Sequence, residues 1–368
     1  MATVTLERVN KVYPSRHGPV HAVQDLDMEV EDGGFVTLLG PSGCGKTSTL
    51  RMIVGLEAIT SGTIAFDGRQ VNALGPEERN VAMAFETYAL YPTFTVAENL
   101  AFPLEVRGIP ESERRAQVAE IARLLRIEDI LDSHPLQLSG GQQQRVSLGR
   151  ALIRAPAAFI LDEVMSHLDA HLKFQMLFEL KRIHQSIGRT TVYVTHDQME
   201  ALALADRVAV MSNARLQQYA DRDTLYDRPA NMFVAGFIGE PPTNFIHAQV
   251  HDRRAGLRLL IEGTEIEVEP DGARASAIRN AGLGRVVIGL RPQNLGIEAS
   301  EQLRPIPATV LLNEYLGEQA ILTARVGEAE LRAIVPPEAD ARPDQPTTLY
   351  YRPHNVMVFD PETEAFVG

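Results

Sequence analysis

The chain has 368 residues, a length at which single cores tend to divide into separate domains. Its net charge of −13 excludes broad electrostatic binding to DNA, RNA or anionic lipid, so any phosphate site must be local, built from backbone donors and a few cations. One cysteine, Cys44, rules out an internal disulfide and fits a reducing compartment. No run nears the roughly 18 apolar residues of a membrane span, and Met1 to Arg8 lacks a signal peptide's basic head and apolar core, so a cytosolic, soluble chain is expected.

In chain order, the first two-thirds alternates short apolar runs with longer amphipathic ones, the rhythm of an α/β domain. Phe35 to Leu39 reads as a buried strand that enters a Gly-rich turn and then a helix from Lys46 to about Val54. Further core strands are predicted at Val81 to Phe85, Ala157 to Leu161, Thr191 to Thr195 and Arg207 to Met211. Helical stretches lie between them at Glu111 to Leu125, Gln142 to Arg154 and Leu168 to Ile187. The consecutive prolines of Glu240-Pro241-Pro242-Thr243 resist both helix and central strand and mark a boundary. Beyond it come short β-type segments, at Leu257 to Ile261, Glu265 to Glu269, Val286 to Gly289, Ala308 to Leu312 and Val356 to Phe359. The expectation is an α/β domain over 1–239 and a mostly β barrel or sandwich over 240–368.

Gly40-Pro41-Ser42-Gly43-Cys44-Gly45-Lys46-Thr47, with Ser48 following, fits the phosphate-loop pattern G-x-x-x-x-G-K-S/T between a predicted strand and helix. Its glycines let successive N–H groups converge on an anion. Lys46 supplies a point charge for β- and γ-phosphates, the Thr47 hydroxyl can ligate Mg²⁺, and the helix adds its positive end. Downstream, Phe159-Ile160-Leu161-Asp162-Glu163 is an apolar strand ending in two carboxylates. Asp162 is placed to hold the Mg²⁺ shell and Glu163 to act as general base for an attacking water. Taken alone, that strand end reads equally well as a solvated terminus.

Between these two segments stands Leu138-Ser139-Gly140-Gly141-Gln142-Gln143-Gln144-Arg145, a Ser hydroxyl and glycine N–H groups at a helix start, which makes a second anion site. In this order after a phosphate loop, the segment resembles the signature motif of ABC transporter ATPases. The resemblance implies a fold of P-loop ABC ATPase type with a helical subdomain at about 87–155, followed by an OB-like (TOBE) regulatory domain. It implies ATP and Mg²⁺ as ligands. It also implies a dimer, because Ser139, Gly140, Gly141 and Gln142 would face the γ-phosphate bound to another subunit.

The remaining family elements follow in order. Tyr13 in Lys11-Val12-Tyr13 resembles the aromatic that stacks on adenine; packing against the first sheet is the alternative. Ser166-His167-Leu168-Asp169 resembles the D-loop, with Asp169 linking the two composite sites, and Thr195-His196-Asp197 resembles the switch loop, with His196 on the γ-phosphate and water. Catalysis is thus expected from Glu163, His196 and Lys46, and metal binding from Thr47, Asp162 and Glu86. The chain departs from the family at Glu86, where Gln is usual, at Val164-Met165, where Pro-Leu is usual, and at His167, where Asn is usual. Glu86 keeps an oxygen for the metal but loses the amide donors and adds charge. The seam departures fit either pairing with a different ATPase subunit or neutral change.

Tyr88-Ala89-Leu90-Tyr91-Pro92, Val96 to Leu100, Thr195 to Ala201 and Phe237 to Phe245 look like importers of the maltose and glycerol-phosphate group, and Ile288-Gly289-Leu290-Arg291-Pro292 looks like a recurring element of their C-terminal domain. That likeness implies two permease subunits engaged through coupling helices, a second ATPase subunit (self or paralogue) and, indirectly, an extracytoplasmic solute-binding protein. It implies no nucleic acid, and a peripheral position on the cytoplasmic face of a bacterial plasma membrane. The solute is expected to be a sugar, polyol, glycerol or glycerol phosphate. Polyamine, iron or sulfate import and a catalytically weakened regulatory subunit remain the alternatives.

Overall fold

A computed structural model describes every residue except Met1, His17 and Ala255. The chain divides into two compact units, Met1–Arg222 and Asp223–Gly368.

The first unit is built on a six-stranded sheet ordered Arg215–Ala220, Arg207–Ser212, Phe35–Leu39, Thr190–Thr195, Ala158–Asp162, Val81–Ala84. All neighbours in it are parallel except the first pair. Phe35–Leu39 and Thr190–Thr195 are buried along their whole length, which is why they hold only apolar residues, threonines and one tyrosine and no alternating charges. Successive side chains serve opposite faces. Phe35, Phe159, Leu161 and Tyr193 pack with helices Val96–Val106, Glu111–Leu125 and Gly140–Leu152. Val36, Leu38, Ile160 and Val192 pack with the phosphate-loop helix and the antiparallel sheet of Val20–Val30, Val4–Tyr13, Ser61–Phe66 and Arg69–Gln70.

Because the strands are parallel, their carboxyl ends share one edge of the sheet. Phe35–Leu39 runs into the phosphate loop, Ala158–Asp162 ends at Asp162-Glu163, Thr190–Thr195 leads to His196, and Val81–Ala84 leads to Glu86. Residues distant in sequence are delivered to a single crevice, the usual ligand position in open α/β sheets.

The second unit holds a five-stranded antiparallel sheet around Asn244–Arg253 and a four-stranded one around Arg304–Tyr315, sharing a core that includes Ile246, Leu259, Ile288, Val310, Leu322 and Leu349. It also contains a helix, Gly272–Ala281, capped by Asp271, that the sequence reading did not anticipate. The units meet upstream of the expected 239/240 boundary for an identifiable reason. Arg291 is 2% exposed, donates to the carbonyls of Tyr226 (2.6 Å) and Ile238, and lies over the Tyr226 ring at 3.9 Å. It therefore ties residues 226–238 into the β unit. Arg291→Met is expected to destabilise that unit by about 2–4 kcal/mol, by leaving buried carbonyls without donors; thermal denaturation of the full chain checks this, and an unchanged melting profile would contradict it.

Candidate nucleotide-hydrolysis site

The phosphate loop is shaped by glycines that admit no side chain. A Cβ on Gly40 would lie 2.3 Å from the Met211 carbonyl oxygen, and one on Gly45, at φ 109°, would lie 2.3 Å from that of Ala22. Lys46 opens the helix Lys46–Val54 and is 4% exposed. Its Nζ donates to the carbonyl oxygens of Gly40 (2.8 Å) and Pro41 (3.0 Å), so the ammonium is already folded over the loop it serves. Cys44 lies buried beneath it, and that burial pushes the thiol up from its ordinary range despite the nearby Lys46 charge. The Tyr13 hydroxyl is 3.4 Å from Ser48 Oγ, and Lys11 Nζ stands 4.6 Å from the Tyr13 ring centre. Tyr13 thus borders the phosphate-loop helix.

Asp162 carries the clearest electrostatic signature in the crevice. Burial pushes its carboxyl up to about 6, the charges of Glu163 and Glu86 push the same way, and Arg51 and Lys46 oppose them. Glu163 adopts φ 45°, a left-handed conformation unusual for a residue with a Cβ, while its N–H donates to the Val194 carbonyl at 2.9 Å. A backbone held this way at a carboxylate is the kind of local strain that clusters at functional sites. His196 Nδ1 lies 3.4 Å from Glu163 Oε2, so the two groups expected to handle the attacking water face each other.

The sequence reading missed the residue that holds the switch loop in place. Lys173, one turn into the helix Ala170–Ile187, pairs with Asp197 (2.6 Å) and Glu200 (2.7 Å). Glu200 is 2% exposed and also accepts from Thr195 and Tyr193. Asp169 caps the same helix by accepting from the Leu172 N–H at 3.0 Å. The D-loop and the His196 loop are therefore joined through one helical turn. A lysine four residues after Asp169 was the available signal.

Ser139 caps the helix Gly140–Leu152 through a reciprocal pair with Gln142: Ser139 N–H donates to Gln142 Oε1 at 2.9 Å, and Gln142 N–H to Ser139 Oγ at 3.4 Å. Among the described residues, no hydrogen bond or ion pair joins 139–142 to the phosphate loop. The expected site residues thus form two groups within one chain. Tyr13, the phosphate loop, Asp162, Glu163, Glu86 and His196 belong to one, and the Ser139 turn to the other. The turn after Glu86 links back to the signature helix, because the Tyr88 carbonyl accepts from Ser147 Oγ (2.9 Å) and Arg150 (3.2 Å), and the Ala89 carbonyl accepts from Arg150 (2.5 Å).

Residues 23–166 match the family model described as ABC transporter, and residues 288–359 match that of the TOBE domain. The chain is 42% identical to the sulfoquinovosyl glycerol transport ATP-binding protein SmoE of Agrobacterium fabrum, covering 99% of both chains. It is 40% identical to the sn-glycerol-3-phosphate import ATP-binding protein UgpC of a Ruegeria species, covering 99% of this chain and 98% of the relative. It is 44% identical to the trehalose import ATP-binding protein SugC of Mycobacterium tuberculosis, covering 88% and 81%. Among solved structures, the ATP-binding cassette MJ0796, a dimer in a post-hydrolysis state bound to ADP and phosphate, is 29% identical with a TM-score of 0.53, covering 59% of this chain and 98% of that one. A nucleotide-binding cassette with the full order of phosphate loop, signature, paired carboxylates and switch histidine, followed by a TOBE domain, makes this chain an ATPase of the ABC transporter family.

Proposed function

We propose that this chain energises the import of a sugar, polyol, glycerol or glycerol-phosphate type solute by hydrolysing ATP in two sites shared between paired cassettes. The observation that carries the reading is the likeness, over most or all of the chain, to transport and import ATP-binding proteins whose names specify glycerol- or sugar-containing solutes.

The proposed division of labour follows the geometry. Backbone N–H groups of 40–47, with Lys46, hold the β- and γ-phosphates, and Tyr13 stacks on the adenine. Glu163 takes the proton of the attacking water, and His196, 3.4 Å away, orients that carboxylate and the water. Thr47, Asp162 and Glu86 offer hard oxygen ligands, the set that suits Mg²⁺. Among the described residues no three His, Cys, Asp or Glu side chains gather into a self-sufficient metal site. Bound by these residues together with the nucleotide, Mg²⁺ would supply positive charge to offset that of the phosphates. Ser139 to Gln142 close the site of the other cassette.

Permease coupling is assigned to a groove of about 540 Å³ lined by Phe85, Tyr91, Phe102, Val106, Arg150 and Arg154. Its apolar floor and basic rim fit an amphipathic helix. Arg150 borders the groove and also holds the Tyr88–Ala89 turn after Glu86, which gives a physical path from permease to nucleotide site. No helix among the described residues is long and apolar enough to cross a membrane. The likeness to transport and import ATP-binding proteins supports attachment through these partners, on the cytoplasmic face.

The test is affinity purification of the tagged chain from native membranes. Two permease subunits are expected to co-purify, with this chain as the sole ATPase if it pairs with itself or with a second ATPase if it does not. Recovery without any membrane protein would overturn the importer reading.

A further inference from the structure

Glu86 follows the strand Val81–Ala84 and Asp162-Glu163 ends the strand paired with it, and the charges of Glu86 and Glu163 both act on Asp162. This is an adverse place for an extra negative charge, because the ligand is a polyanion. A glutamate at position 86 therefore needs local compensation.

The structure supplies a partner within the same chain. His167 Nε2 lies 3.5 Å from Glu86 Oε1, and Ser166 Oγ lies 3.5 Å from the same oxygen. The Ser166 hydroxyl is already committed to the Glu163 carbonyl at 2.9 Å, which leaves the imidazole as the principal partner. The His167 ring is held edge-on to Tyr88, with centroids 6.5 Å apart and planes at 79°. The Tyr88 backbone is itself fixed by Ser147 and Arg150. Read on their own, Glu86 and His167 are two separate departures from the family pattern; in the fold they meet.

We propose that His167 is a positioning residue for Glu86: its Nε2–H donates to the Glu86 carboxylate, offsets its charge and holds it against the D-loop, which makes an acidic residue compatible with nucleotide binding. This links the loop that follows the permease groove to the loop that precedes Asp169, in one chain and through one contact. The inference rests on the nucleotide-site assignment above. Both side chains are about half exposed, so the contact has the strength of a solvent-exposed polar pair, a two- to fivefold effect at about 0.5–1 kcal/mol.

The test is a four-variant cycle on the full-length chain, measuring KM for MgATP and kcat for wild type, His167→Asn, Glu86→Gln and the double variant. With Glu86 present, His167→Asn is expected to raise KM about two- to fivefold while kcat changes less. In the Glu86→Gln background the same substitution is expected to leave KM unchanged, since no carboxylate remains to be offset. His167→Gln, whose amide can still donate, is expected to keep KM near that of the wild type. An equal KM shift in both backgrounds, or none in either, would overturn the pairing. Lys46→Ala separates the two levels: a KM for MgATP left unchanged by it counts against the nucleotide site, whereas a background-independent His167 effect counts against the pair alone.

Discussion

Glu163→Gln is expected to lower steady-state ATP hydrolysis by about 10²- to 10⁴-fold while ATP still binds. The carboxylate faces the His196 imidazole at 3.4 Å and can accept a proton from water, and glutamine keeps its shape without its basicity. The loss should fall on kcat, because Glu163 is assigned to the transition state rather than to binding. Solute uptake by the assembled importer should fall in parallel. If hydrolysis persisted within a few-fold of wild type, the proton would have to leave by another route and the assignment of Glu163 would be wrong.

Lys46→Ala is expected to act one step earlier, weakening ATP binding by about 10- to 100-fold, the scale of one lost hydrogen bond to a charged group at 1.5–3 kcal/mol. Preorganisation is the reason. Lys46 is almost fully buried and already spans the loop, bonded to Gly40 and Pro41, so little side-chain freedom remains to be lost when phosphate arrives. Its charge, with that of Arg51, also acts on Asp162, against the charges of Glu163 and Glu86. Calorimetric titration with ATP measures the effect directly, and unchanged affinity would remove the lysine from the site. The two variants should therefore separate, one failing in turnover and the other in binding.

What the sequence made legible was whatever is contiguous. The phosphate loop lies in eight consecutive residues, and Asp162-Glu163 and Thr195-His196 each follow an apolar strand, so pattern and position suffice. The parallel sheet was also readable, because strands such as Phe35–Leu39 are buried on both faces and carry no charged residue, Thr37 being the one polar side chain. Contacts that depend on tertiary closure were not. Lys173 reaches Asp197 and Glu200 across two elements, and Ser147 and Arg150 reach a turn in which Tyr88 and Ala89 both take left-handed conformations. The lysine four residues after Asp169 is a local hint of the first that does not name its partners, and no local pattern announces the second. The helix Val96–Val106 was passed over because Pro103 stands inside it, although Thr95 and Glu98 form a reciprocal cap at its start. The N-terminal strands Val4–Tyr13 and Val20–Val30 escaped for a different reason: register shifts, with Arg8 and Asp25 at positive φ, break the alternation by which a strand is recognised. The domain boundary was displaced by one side chain, Arg291, whose reach back to Tyr226 and Ile238 cannot be inferred from the prolines at 241 and 242.

The account's central claim is that each nucleotide site takes its phosphate loop from one chain and its Ser139 turn from another. Complementation tests it most directly. Lys46→Ala spoils the first half-site and Ser139→Arg the second, so each variant paired with itself retains no intact site. A mixture of the two variants, allowed to exchange subunits, forms mixed dimers with one intact site each, and hydrolysis should return to roughly a quarter of the wild-type level at equal proportions. Recovery of that order is what the account predicts. If the mixture stayed as inactive as either variant alone, or if Ser139→Arg hydrolysed ATP normally by itself, the shared site would be contradicted.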